Sequence, residues 1–109
     1  MRLRLVVAVL LVGVVVLGSP APAAGGRVRI KATTAKTWNP DFKSVSKGTK
    51  VIWKNPTGVR HTVTATSGAW SKDVVLKPGT RTVKIFRKRG AFDYKCRLHQ
   101  GMTGHIHVE

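Results

Sequence analysis

Cys96, His99 and Met102 fall within seven residues, in the pattern C-x2-H-x2-M. A thiolate, an imidazole and a thioether so close together form a soft, mixed donor set. Such a set suits copper cycling between Cu(I) and Cu(II), with a trigonal Cys-His₂ plane and a weak axial Met. The second His must come from elsewhere in the chain. His61, 35 residues before Cys96, is the candidate. Zinc is the rival metal, since His105 or His107 could complete a set with Cys96 and the other His residues. A thioether is a poor zinc ligand, and the Met at this spacing favours copper. His105 and His107, two residues apart, could also make a weak second site on a strand face.

These residues need elements to hold them, and the apolar pattern supplies strands. Val28 and Ile30 alternate with Arg27, Arg29 and Lys31, and Val51-Ile52-Trp53 follow a turn at Lys47–Lys50. Asn55-Pro56-Thr57-Gly58 breaks the chain, and His61-Thr62-Val63-Thr64 resumes it. Lys77-Pro78-Gly79 is a turn before Thr82–Phe86, and Arg87–Gly90 is another. Phe92, Tyr94 and Cys96 then share one face, with Asp93 and Lys95 on the other; Ile106 and Val108 alternate with His105 and His107. The three Trp look like core residues at strand positions. Short β-branched strands at this spacing predict an all-β sandwich, and no segment after residue 24 has helical periodicity.

The front of the chain reads differently. Arg2 and Arg4 precede an apolar run from Leu5 to Leu17, and Gly18 to Ala23 are small residues and prolines. A basic start, a short apolar run and a small-residue end predict a signal peptide over 1–23, cleaved after Ala23. Thirteen apolar residues are short for a membrane span, which needs about 20. No Cys follows the run to take a lipid, and no twin-Arg pair precedes it. The mature domain, 24–109, is therefore expected to be exported to the periplasm or the exterior. There a single Cys has no disulfide partner, and a metal would protect it from oxidation.

The 109-residue chain carries 20 Lys+Arg against 4 Asp+Glu, and the mature part keeps 18 of the former. Such a surface favours an acidic protein partner or adhesion to an anionic membrane or wall polymer. Nucleic acid is a poor fit: Arg87-Lys88-Arg89 is short, and export separates the chain from it. One small domain is all this length allows.

From about Trp38 to Glu109 the chain resembles the small blue-copper proteins, the cupredoxins of the plastocyanin and amicyanin type. The resemblance rests on Trp38-Asn39-Pro40, on Val45-x2-Gly48-x2-Val51-x-Trp53-x-Asn55, on His61-Thr62-Val63 and on Lys77-Pro78-Gly79. It continues through Gly90-x-Phe92-x-Tyr94-x-Cys96, His99, Met102 and Gly104. The His99-x2-Met102 spacing is similar to the short ligand loop of amicyanins. The resemblance implies a Greek-key sandwich, His61, Cys96, His99 and Met102 as ligands of one type 1 copper ion, and one-electron transfer by a monomeric protein that is not an enzyme. A copper carrier or buffer would use the same ligands. Two features depart from the family: Thr62 stands where Asn is common after the first ligand His, and the domain is far more basic than its relatives. Arg60 and Arg97, each beside a ligand, are expected to place positive charge near the metal.

Overall fold

The computed structural model describes residues 25–109, so the expected signal peptide, 1–23, lies outside the described residues. Nine strands follow in order: β1 (Arg27–Ala32), β2 (Trp38–Asn39), β3 (Phe42–Val45), β4 (Thr49–Lys54), β5 (His61–Ala65), β6 (Asp73–Leu76), β7 (Arg81–Phe86), β8 (Gly90–Lys95) and β9 (Thr103–Val108). They form a five-stranded sheet, β3-β9-β8-β5-β6, and a four-stranded sheet, β2-β1-β4-β7. The chain crosses between the sheets five times: from β2 to β3, back to β4, over to β5, from β6 to β7 and back to β8. This is the expected all-β Greek-key sandwich, and no helix occurs among the described residues.

Alternation dictates what lies between the sheets. Ile30, Val51, Trp53, Val63, Phe86, Phe92, Tyr94, Ile106 and Val108 are all buried in one core. Edge-on aromatic contacts fill its centre: Tyr94 lies 5.4 Å from Trp53 and 5.7 Å from Trp38, centroid to centroid. Among the described residues, the nine strands and this core lie between Arg27 and Val108.

Three strands escape the sequence pattern. β2 has two residues, β3 buries only Val45, and β6 buries only Leu76. β4 also starts earlier than the expected turn allows: Thr49 N–H closes the turn onto Ser46 O, and Thr49 itself already pairs with Phe86. Trp70 corrects the expectation for the three Trp. It lies in the loop between β5 and β6, half-buried, with its indole N–H donating to Asp93 O at 2.9 Å.

Candidate metal centre

β5 opens on His61, and β8 ends one residue before Cys96. The two strands pair antiparallel at Thr64–Lys95 and Ala65–Tyr94, so the start of β5 runs on past the end of β8 and lies beside the loop that begins at Cys96. His61 Nδ1 lies 3.9 Å from Cys96 Sγ, and His99 Nδ1 lies 3.4 Å from the same sulfur. The three donor atoms fall within 4.8 Å of one another. His61 and Cys96 are buried and His99 is partly open to solvent.

The loop from Cys96 to Met102 is closed by its own backbone. Cys96 N–H donates to Met102 O at 2.8 Å, and Met102 N–H to His99 O at 3.2 Å. Gly101 takes φ of +82°, a conformation that side chains disfavour, and this lets the loop turn back into β9. Met102 is thereby returned to the interior, where it is 1 % exposed and joins the core cluster that contains Cys96. All four expected ligands thus sit at one end of the sandwich. His105 and His107 do not join them: both are exposed on β9, and His105 Nδ1 sits 2.8 Å from Asp93 Oδ1.

Behind His61 stands a polar relay that sequence reading took only for a chain break. With Nδ1 facing the sulfur as a lone-pair donor, Nε2 carries the proton and donates to Thr57 Oγ1 at 3.0 Å. Thr57 Oγ1 donates to Asn55 Oδ1 at 2.6 Å, which also accepts from Thr57 N–H. The Asn55 amide then donates to Val59 O and Leu76 O, at 2.7 and 2.9 Å. Asn55, Thr57 and His61 are all buried. Such a relay fixes both the tautomer and the tilt of the ring. Burial, followed by the nearby His99 and Lys36 charges, holds His61 below its ordinary pKa of 6.5, which keeps the ring neutral as ligation requires. An Asn followed two residues later by Thr is a turn signature, and it was the available clue.

A second set of bonds surrounds the sulfur. Thr62 N–H donates to Cys96 Sγ, 3.3 Å away. Thr62 Oγ1 accepts from Arg97 N–H at 2.7 Å and lies 3.0 Å from Thr64 Oγ1. Thr64 Oγ1 donates to Asp73 Oδ1, which also receives Arg97 Nε, both at 2.9 Å. The result is a closed ring that ties the ligand loop to β5 and β6. Thr62, the departure from the family pattern, therefore has a definite task here. Arg97 is not the free charge that its position suggested, because Asp73 pairs with it.

A cysteine sulfur, two imidazoles and a buried thioether make a soft, partly enclosed set, and that chemistry fits copper. Comparison with known proteins agrees. The family described as copper binding proteins, plastocyanin/azurin family, matches residues 26–109. Among solved structures, a purple cupredoxin from Nitrosopumilus maritimus is similar at 22% identity and a TM-score of 0.66, covering 74% of this chain and 98% of that one. A Cu(I) form of an amicyanin variant is similar at 24% identity and a TM-score of 0.71, covering 80% of this chain and 86% of its own. Comparison with curated proteins finds no match. With the family match spanning every described strand, the chain belongs to the copper-binding plastocyanin/azurin family.

Proposed function

We propose that the protein is a one-electron carrier acting outside the cytoplasmic membrane, with His61, Cys96, His99 and Met102 as the ligands of one copper ion. The convergence of His61 Nδ1, Cys96 Sγ and His99 Nδ1 within 4.8 Å, beside the buried Met102, carries this reading. Bound copper supplies the one-electron couple. The chain's own residues keep the site the same shape in both oxidation states. His61 is held by Thr57 and by β5, and Cys96 by the Thr62 amide and the end of β8. His99 is the ligand nearest solvent, and exposed Leu98 and Val59 flank this end of the sandwich. The apolar rim excludes water while a partner presses against the His99 edge. An acidic redox protein is the partner that the net charge favours.

The test is a titration with Cu(II). One equivalent should give a strong visible thiolate-to-copper band that ascorbate bleaches and oxidant restores, and Cys96→Ser should abolish it. A protein that stays colourless with Cu(II) would overturn the ligand assignment. A band whose copper departs on each reduction would instead make the protein a copper carrier.

A further inference from the structure

The outer face of the four-stranded sheet carries a pattern unrelated to the metal centre. Strand register sets nine side chains in three rows. Arg27, Lys50 and Ile85 form the first; Arg29, Ile52 and Val83 the second; Lys31, Lys54 and Arg81 the third. Six of the nine are cations. All are exposed except the half-buried Lys50, and none belongs to either ion pair found among the described residues. Neighbours lie about 4.8 Å apart across the sheet and about 6.7 Å along each strand. No carboxylate interrupts the array: Asp73 and Asp93 lie on strands of the other sheet, and Asp41 and Glu109 flank its β3 and β9. The three aliphatics adjoin in one corner, where Val83 is 45% and Ile85 36% exposed. Ile52 beside them is only 5% exposed, and its neighbours on this face include the long side chains of Arg29, Lys50 and Lys54.

We propose that this face is a docking plate for an anionic phospholipid bilayer. A one-signed face can also meet an acidic protein, but this one has no exposed aromatic anchor for a specific protein interface, and its middle position is Ile52, 5% exposed. It has no aromatic platform for bases: Trp38 and Trp53 point into the core. A flat array of cations around a small half-exposed aliphatic corner suits a surface of mobile anionic headgroups, with Val83 and Ile85 entering the interface. The third row lies toward the metal end, since Asn55 N–H, next to Lys54, bonds Thr80 O, next to Arg81. Docked this way, the strands lie along the membrane and the His99 edge faces sideways, free to meet a membrane-embedded partner. The docking does not depend on the identity of the metal.

The test is flotation of the 24–109 domain with phosphatidylcholine vesicles, with and without phosphatidylglycerol. Two double variants remove equal charge at different places: Arg29→Glu with Lys54→Glu on the plate, and Arg87→Glu with Lys88→Glu in the β7–β8 turn. Binding should require phosphatidylglycerol, weaken with salt, and fall more than about tenfold in the plate variant. It should fall much less in the turn variant. Circular dichroism checks that each pair still folds, and Arg29→Gln with Lys54→Gln repeats the test with milder changes. Val83→Ser with Ile85→Ser should make the remaining binding more sensitive to salt. Equal losses in the plate and turn variants would overturn the proposal in favour of diffuse attraction. A loss confined to the turn variant would move docking to the far end of the sandwich. Binding to polyglutamate without binding to vesicles would identify an acidic protein as the partner instead.

Discussion

Two residues bear more on the site than their sequence context suggests. Thr57 is one, because its hydroxyl accepts the proton-bearing nitrogen of His61 and passes the bond on to Asn55. Thr57→Val keeps the shape and deletes that acceptor, leaving a buried N–H unpaired. The variant should lose about 1–3 kcal/mol of stability in urea unfolding. Its copper affinity, read by competition with a chelator, should fall about 10–100-fold. An unchanged affinity would show that β5 alone orients the ring. Gly104 is the other. The ring of Tyr94, opposite it on β8, lies directly over its Cα, so a Cβ there would overlap the phenol. Gly104→Ala must push a ring that packs against both Trp38 and Trp53. Overpacking of this kind should cost about 1–3 kcal/mol, seen as a lower melting temperature.

At the scale of elements, the ligand loop depends on its ties to β5 and β6. Asp73 accepts from both Thr64 and Arg97, and these bonds, Arg97 first, hold its pKa below the ordinary 3.8. A carboxyl with a depressed folded pKa adds stability that is fully present above its ordinary value and is lost as pH falls through the folded one. Asp73→Asn should therefore lower the melting temperature slightly at neutral pH, and the difference from the parent should shrink below pH 3.8. Asp73 and Arg97 are both exposed, so the effect is small; a gap that persists in acid would show that charge is not its source. The strands that frame the site were legible in sequence because Phe92–Cys96 and Ile106–Val108 bury alternate residues, Val28 and Ile30 turn inward between exposed cations, and Val51–Trp53 is a short apolar run buried throughout. β2, β3 and β6 were not, because each buries a single residue and owes its place to a neighbour's unpaired backbone. The ligands were legible for another reason: the Cys-His-Met spacing is chemical, not periodic. The ring through Thr62, Thr64, Asp73 and Arg97 has no such mark, since it joins residues up to 35 positions apart that meet only after the sheets form.

The whole molecule has a thin core and an unbalanced surface. About 85 residues bury only a modest share of their apolar area, and 18 cations against 4 acids repel one another throughout. The metal site joins the start of β5 to a loop 35 residues later, across the two strands whose pairing covers only Thr64–Lys95 and Ala65–Tyr94. A ligand that binds only the folded state stabilises by mass action, by about 4 kcal/mol at 1,000 times its Kd. For a domain of this size, each kcal/mol moves the melting temperature by about 4–8 °C. Copper at that excess should therefore raise it by about 15 °C or more. Salt should act separately: by screening the cations it should stabilise the copper-free domain, and it should leave the increment from copper nearly unchanged, because three of the four ligands, His61, Cys96 and Met102, are buried. Calorimetry of both forms at low and moderate salt separates the two effects. Identical melting with and without copper would mean that His61, Cys96, His99 and Met102 do not act as one site.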